Sequence, residues 1–356
     1  MLRTLLAAAM AVLLLAPAAR ADEAALAALK TRIEAGEIPG VHSVIVMRGK
    51  DTLAEWYFPG DDNARGRPLG RIAFGPDTLH DVRSVTKSVV GLLVGVAVEQ
   101  GAIKSLDTPV LDYFPEYADL QTPERRRVTL RHLLTMTSGL HWDEETYTYA
   151  DPRNSEIAMD LAADPYRYVL SQPFDTQPGE RFKYSGGDVA VMAAVLARAT
   201  KTPLDTYAEA RLFKPLGIAE VAWHKDGKGV PYAASGLRMK PRDMAKIGRL
   251  VLAKGRWNGR QVLPAAWVTA ATTPQAQVQP DPKCGTRYGY FWWLFAGCDL
   301  EPAQPWAAGV GNGGQRIVVA PGQDVVLVMT AGLYNSRAQR QTTDQVIVGA
   351  LKAVRK

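Results

Sequence analysis

Apolar and polar positions along this chain fall into distinct rhythms. β-Branched and aromatic residues crowd both halves of VHSVIVMRGKDTLAEWYF, residues 41–58, and predict two strands joined at Gly49-Lys50-Asp51. The stretch QRIVVAPGQDVVLVMTAG, residues 315–332, predicts a second hairpin around Pro321-Gly322. Helical spacing takes over in AALAALKTRIEAG, TLRHLLTMTSGL, DVAVMAAVLARAT and PRDMAKIGRLVLAKG. Thr129 and Asp188 are candidate caps, and Pro241 and Gly255 bracket the last of these in the order a helix favours. From Ser84 to Gln100 apolar residues fill most faces, so this helix is expected to be buried and to stop at Gly101. Its uncharged core between Lys87 and Glu99 is too short to span a bilayer. Residues 59–77, rich in Pro, Gly, Asp and Arg, read as a loop.

Strands at both ends with helices between them predict an α+β fold. Its sheet part would comprise about residues 22–83 and 225–356, and a mainly helical insertion about residues 84–224. With 47% hydrophobic and 22% charged residues, 356 residues can bury a full core.

Residues 1–21 stand apart. Arg3, the apolar run LLAAAMAVLLLA and Ala19-Arg20-Ala21 read as a secretory signal cleaved before Asp22; the alternative, an anchor helix, has a shorter apolar run than a span needs. The expected product is exported, to the periplasm or the medium, without a stable membrane anchor. Arg3 and Arg20 supply two of the six net positive charges, leaving +4 on residues 22–356. That charge forms no basic block, which argues against a nucleic-acid partner. Cys284 and Cys298 are either a disulfide, in keeping with export, or two free buried thiols.

Candidate chemistry sits where the apolar helix begins, in RSVTKS. Residues three apart at a first helical turn share a face, so Lys87 comes within reach of the Ser84 hydroxyl. Serine needs a neighbour that takes its proton, and an uncharged lysine can do so. Desolvation, the helix N-terminus and Arg83 are expected to press the Lys87 pKa downward towards that uncharged form. Other chemistries lack their residues. There is no Gly-x-Ser-x-Gly elbow, no His-x-x-x-His or Cys-x-x-Cys spacing among His42, His80, His132, His141 and His224, and no dinucleotide fingerprint at Gly311, Gly313 and Gly314. No cofactor or metal is therefore expected.

The ordered set SVTKS, HLLTMTSGL, Tyr184-Ser185-Gly186, GLRMKPRDMAKIG and GNGGQ resembles the serine β-lactamase-like hydrolases, over roughly residues 30 to 350. That group contains class C β-lactamases, DD-peptidases, esterases and 6-aminohexanoate-dimer hydrolases. The resemblance implies a β-lactamase/transpeptidase-like fold and an acyl-enzyme mechanism, with Ser84 as nucleophile, Lys87 as general base and Tyr184 as the proton shuttle to the leaving group. It also implies that Asn312-Gly313-Gly314 is the third motif, and that the N–H groups of Ser84 and Gln315 form the oxyanion hole. Two departures bear on substrate. Gly186 stands where the family commonly has asparagine, and Asn312 replaces a cationic or imidazole group. Both argue for an esterase or amidase acting on a small ester, amide or short oligomer, over an efficient β-lactamase. A DD-peptidase, or a non-catalytic cell-wall or ligand sensor of the same fold, is the alternative. The aromatics Trp142, Tyr147, Tyr149, Tyr288, Tyr290, Trp292 and Trp293 are assigned no role.

Overall fold

The computed structural model describes residues 21–281 and 283–355, so the predicted signal segment, except Ala21, lies outside the described residues. The two expected hairpins meet in one sheet. Eight antiparallel strands run in the order Ala276–Gln277, Arg287–Tyr288, Trp293–Phe295, Trp306–Gly311, Gln315–Ala320, Val325–Ala331, Val41–Arg48, Asp51–Tyr57. The register pairs Ile45 with Val328 and Ile317 with Val328.

Because side chains alternate across a strand, each central strand serves two cores. Val44, Val46, Val318, Leu327 and Met329 point to the face covered by the terminal helices Glu23–Glu34 and Ala338–Ala353. Ile45, Ile317, Val319, Val326 and Val328 point to the other core, with the helices Pro241–Leu252 and Val85–Glu99. The latter is buried from Val85 through Ala97, as its apolar faces require, and Gly101 follows it with φ +72°. A Cβ at Gly95 would run into the Trp267 ring, so that glycine lets the two elements touch.

Three local expectations change. Residues 59–77 are not a plain loop but contain a hairpin, Gly60–Ala64 with Arg67–Ile72, turning at Arg65-Gly66, both with positive φ. The helix Gly186–Thr200 is capped by Ser185, whose hydroxyl accepts the Asp188 N–H at 3.0 Å; Asp188 is a buried first-turn residue instead of the cap. Thr129 does cap its helix, with His132 completing the box, yet that helix lasts only from Leu130 to Leu134. The chain then turns at Met136, φ +54°, into the segment that carries residues 141–154 around the mouth of the site.

Cys284 and Cys298 are joined, with their Cα atoms 5.9 Å apart.

Candidate active site

Ser84 begins the central helix at its N-cap position, and its side chain caps nothing, so the hydroxyl is free for other partners. The residue before it, Arg83, has φ +50°, an unfavourable region for a β-carbon residue that persists only when its surroundings hold it. They do: Arg83 Nη2 donates to Asn63 Oδ1 at 2.6 Å and its guanidinium lies over the Tyr334 ring. On the helix side, Thr86 Oγ1 donates to Arg83 O and accepts from Leu237 N.

The serine, lysine and tyrosine named from the sequence are together. Lys87, with no exposed surface, donates from Nζ to Ser84 Oγ at 3.1 Å and to Ala234 O at 2.9 Å. Tyr184 stands with them, its ring centroid 5.0 Å from Lys87 Nζ, and it is electrostatically coupled to that amine. Trp293 packs on the same tyrosine ring, 5.5 Å between centroids.

The expected uncharged lysine is not what this environment favours. Burial does push the Lys87 amine downward, but Tyr184, Glu156 and Glu144 together outweigh it and hold the amine above its ordinary range. Burial keeps the Tyr184 phenol above its usual range too, against the pull of Lys87. At rest the trio therefore contains an ammonium ion and a neutral phenol.

Both glutamates were absent from the sequence reading. Glu156 is set at the start of the helix Ser155–Leu161, capped by Asn154. Its Oε1 accepts from Ser235 Oγ at 2.8 Å, and its Oε2 lies 3.7 Å from Lys87 Nζ with no hydrogen-bond partner among the described residues. Burial presses this carboxyl upward, yet Lys87 and Arg65 prevail and it stays below its ordinary range. Glu144 accepts from Gly186 N, Trp142 Nε1 and Tyr149 Oη. Burial, and then the charge of Glu156, push its carboxyl up to about 7. In the sequence, WDEETYTYADPRNSE reads as a solvated acidic run; only Gly186, missing a polar side chain where the family has one, hinted that something else must stand beside Lys87.

A pocket of about 70 Å³ opens on Ser84 and is lined by Arg65, Arg83, Tyr149, Glu156, Ile157, Ser235 and Asn312. A larger cleft of about 690 Å³ shares Glu156 and Ser235 with it and is walled largely by alanines. The third motif divides. Asn312 faces the small pocket and exchanges hydrogen bonds with Asn335. Gly313 gives its N–H to Gln339 Oε1, and Gly314 packs against Ala331. Gln315 starts the next strand, paired with Gly311, and its buried amide bonds Ala331 N and O.

A lysine hydrogen-bonded to a serine, with a tyrosine ring beside the amine, at the head of a buried helix next to an antiparallel sheet, defines a serine hydrolase of the β-lactamase/transpeptidase-like fold. The chain belongs to the Beta-lactamase family, which it matches over residues 22–350. It is 26% identical over 307 residues to the 6-aminohexanoate-dimer hydrolase of Paenarthrobacter ureafaciens, covering 80% of this chain and 70% of that protein. It is 33% identical over 227 residues to esterase EstB of Burkholderia gladioli, covering 60% of this chain but only 54% of that enzyme. The fold is shared with EstCE1, a hydrolase with promiscuous acyltransferase activity, at a TM-score of 0.70 and 16% identity over 94% of this chain and 99% of that one. It is likewise shared with the octameric penicillin-binding protein homologue from Pyrococcus abyssi, at a TM-score of 0.65 and 18% identity over 91% of this chain and 76% of that one.

Proposed function

We propose that this protein is an exported esterase or amidase that hydrolyses small esters, amides or short oligomers through an acyl-enzyme on Ser84. The observation that carries the proposal is the 3.1 Å contact from the fully buried Lys87 Nζ to Ser84 Oγ, which opens on a pocket. Once Lys87 has given up its extra proton, Ser84 Oγ attacks the carbonyl carbon as the uncharged amine takes the Oγ proton, and Tyr184 hands a proton to the departing alkoxide or amine, Lys87 restoring it. Water, activated by the same groups, then releases the acid. The carbonyl oxygen is stabilised by the backbone N–H groups of Ser84 and Gln315, with Asn312 lining the pocket beside them.

The names of two relatives, an esterase and an amide-dimer hydrolase, support this substrate range. So does Gly186, which offers no side-chain amide to hold a penicillin-like carboxamide. The Cys284–Cys298 bond supports an oxidising destination, hence export.

The test is incubation with p-nitrophenyl butyrate, following nitrophenolate release and intact mass. Wild type should turn over repeatedly and gain one butyryl group on Ser84. Ser84→Ala should lose roughly 10⁴-fold or more in kcat while keeping its far-UV circular dichroism. Ester hydrolysis at wild-type rate by Ser84→Ala rejects the proposal, and saturable binding with no mass gain in wild type points instead to a sensor.

A further inference from the structure

A serine nucleophile cannot give up its proton to an ammonium ion or to a neutral phenol. The resting trio of Ser84, Lys87 and Tyr184 therefore holds one proton too many for the attack, and that proton needs a destination. Position 186 shows where one stands. A Cβ added to Gly186 would collide with Glu156 Oε2 and come within 2.9 Å of Glu144 Oε1, so two carboxyl groups from distant parts of the chain occupy the volume a side chain there would fill. Of their four oxygens, Glu156 Oε2 is the one that accepts from no N–H or hydroxyl among the described residues; it lies against the Glu144 carboxyl and looks onto Lys87 Nζ at 3.7 Å.

We propose that Glu156 is the proton acceptor that frees Lys87 for catalysis, its carboxylate standing beside the lysine in place of the missing side chain at position 186. The proposal rests on the acyl-enzyme reading of Ser84. One ammonium proton moves from Nζ to Glu156 Oε2, leaving a lone pair on Nζ. That lone pair takes the Ser84 Oγ proton as the Oγ–carbon bond forms and the carbonyl π pair moves onto oxygen. The site then holds an ammonium ion, a neutral Glu156 and an oxyanion, with total charge unchanged. When the tetrahedral species collapses, Tyr184 protonates the leaving group, Lys87 reprotonates Tyr184, and Glu156 returns its proton to Lys87.

Because Glu156 acts through Lys87, it is a positioning residue for that proton. The charged and titratable groups that face it are Lys87, Arg65, Glu144, Tyr149, Asp160 and Tyr184. Glu144 sets the strength of the acceptor. While protonated it leaves Glu156 as the only anion of the pair; once ionised it lies against Glu156 and makes protonation there more favourable, so acylation should quicken as pH rises through the Glu144 transition.

The experiment is rapid-mixing acylation by p-nitrophenyl butyrate across pH 6 to 9, on wild type, Glu156→Gln and Glu156→Asp, with intact mass taken on each. Glu156→Gln keeps the shape and the Ser235 hydrogen bond but cannot take a proton. Its acylation rate should fall about 100-fold or more with KM within about threefold, and Glu156→Asp should regain at least about tenfold of that loss. If the Gln variant does not fold, Glu156→Ala takes its place: an acylation rate at least about 100-fold down that Glu156→Asp recovers at least about tenfold supports the relay, and a Glu156→Ala rate within about threefold of wild type overturns it. Acylated wild type with a Gln variant within about threefold of its rate sinks this proposal only; wild type that gains no mass at Ser84 sinks the acyl-enzyme reading and this proposal together.

Discussion

Lys87 keeps its charge where water does not reach, and it does so because two carboxyl groups and a phenol surround it. The same crowding makes Glu144 a titrating group near neutrality. Its pKa is raised on folding, to about 7 from an ordinary 4.5, so its contribution to stability is full below the unfolded value and is lost as pH climbs through the folded one. Glu144→Gln has nothing to ionise. Its melting temperature should match wild type near pH 4.5 and exceed it by roughly 2–6 °C at pH 8, as scanning calorimetry at the two pH values would show; equal melting at pH 8 would contradict the assignment. At this scale the sequence was informative only where contacts are local. Ser84 and Lys87 are three residues apart, and one helical turn brings them together. Tyr184 was reached through family resemblance. Glu144 and Glu156 could not be reached, because what buries and pairs them is the fold around position 186.

Among the elements, the strand Trp306–Gly311 matters most to Ser84, since its backbone passes the turn that presents that residue. A Cβ on Gly311 would strike the Val82 carbonyl oxygen on one side and crowd the Gln315 side chain on the other, which leaves little room to yield. Gly311→Ala should therefore move the strand off the turn, costing about 1–3 kcal/mol in stability and roughly tenfold or more in kcat. Gly227→Ala, which meets nothing within 4 Å, should leave both unchanged, and parallel melts and rate assays compare the two. The long strands and the buried helix were readable because their apolar residues face a core. The hairpin over residues 60–72 was not, because it docks through polar groups: buried Asp62 takes the Tyr334 hydroxyl at 2.8 Å and lies near His80, which is hydrogen-bonded to His42. Such a cluster leaves no apolar period, so the hairpin that supplies Arg65 and Asn63 to the site looked like a loop.

For the molecule as a whole, the Cys284–Cys298 bond closes a loop in the least regular part of the sheet, which also supplies Trp293 to the tyrosine ring. A loop of this length is worth ~3 kcal/mol in the chain-entropy model. Replacing both cysteines with serine should lower the melting temperature by roughly 5 °C or more under oxidising conditions, and a fluorimetric melt checks it. Activity should survive, because Trp293 is also held by its strand pairing with Ala308.

The sheet order sets a timetable as well. Val41–Arg48 sits between Asp51–Tyr57 and Val325–Ala331, and the latter is made long after it. During synthesis that apolar ribbon has one edge unsatisfied and cannot finish its core until Val325–Ala331 arrives, so the sheet closes late and all at once.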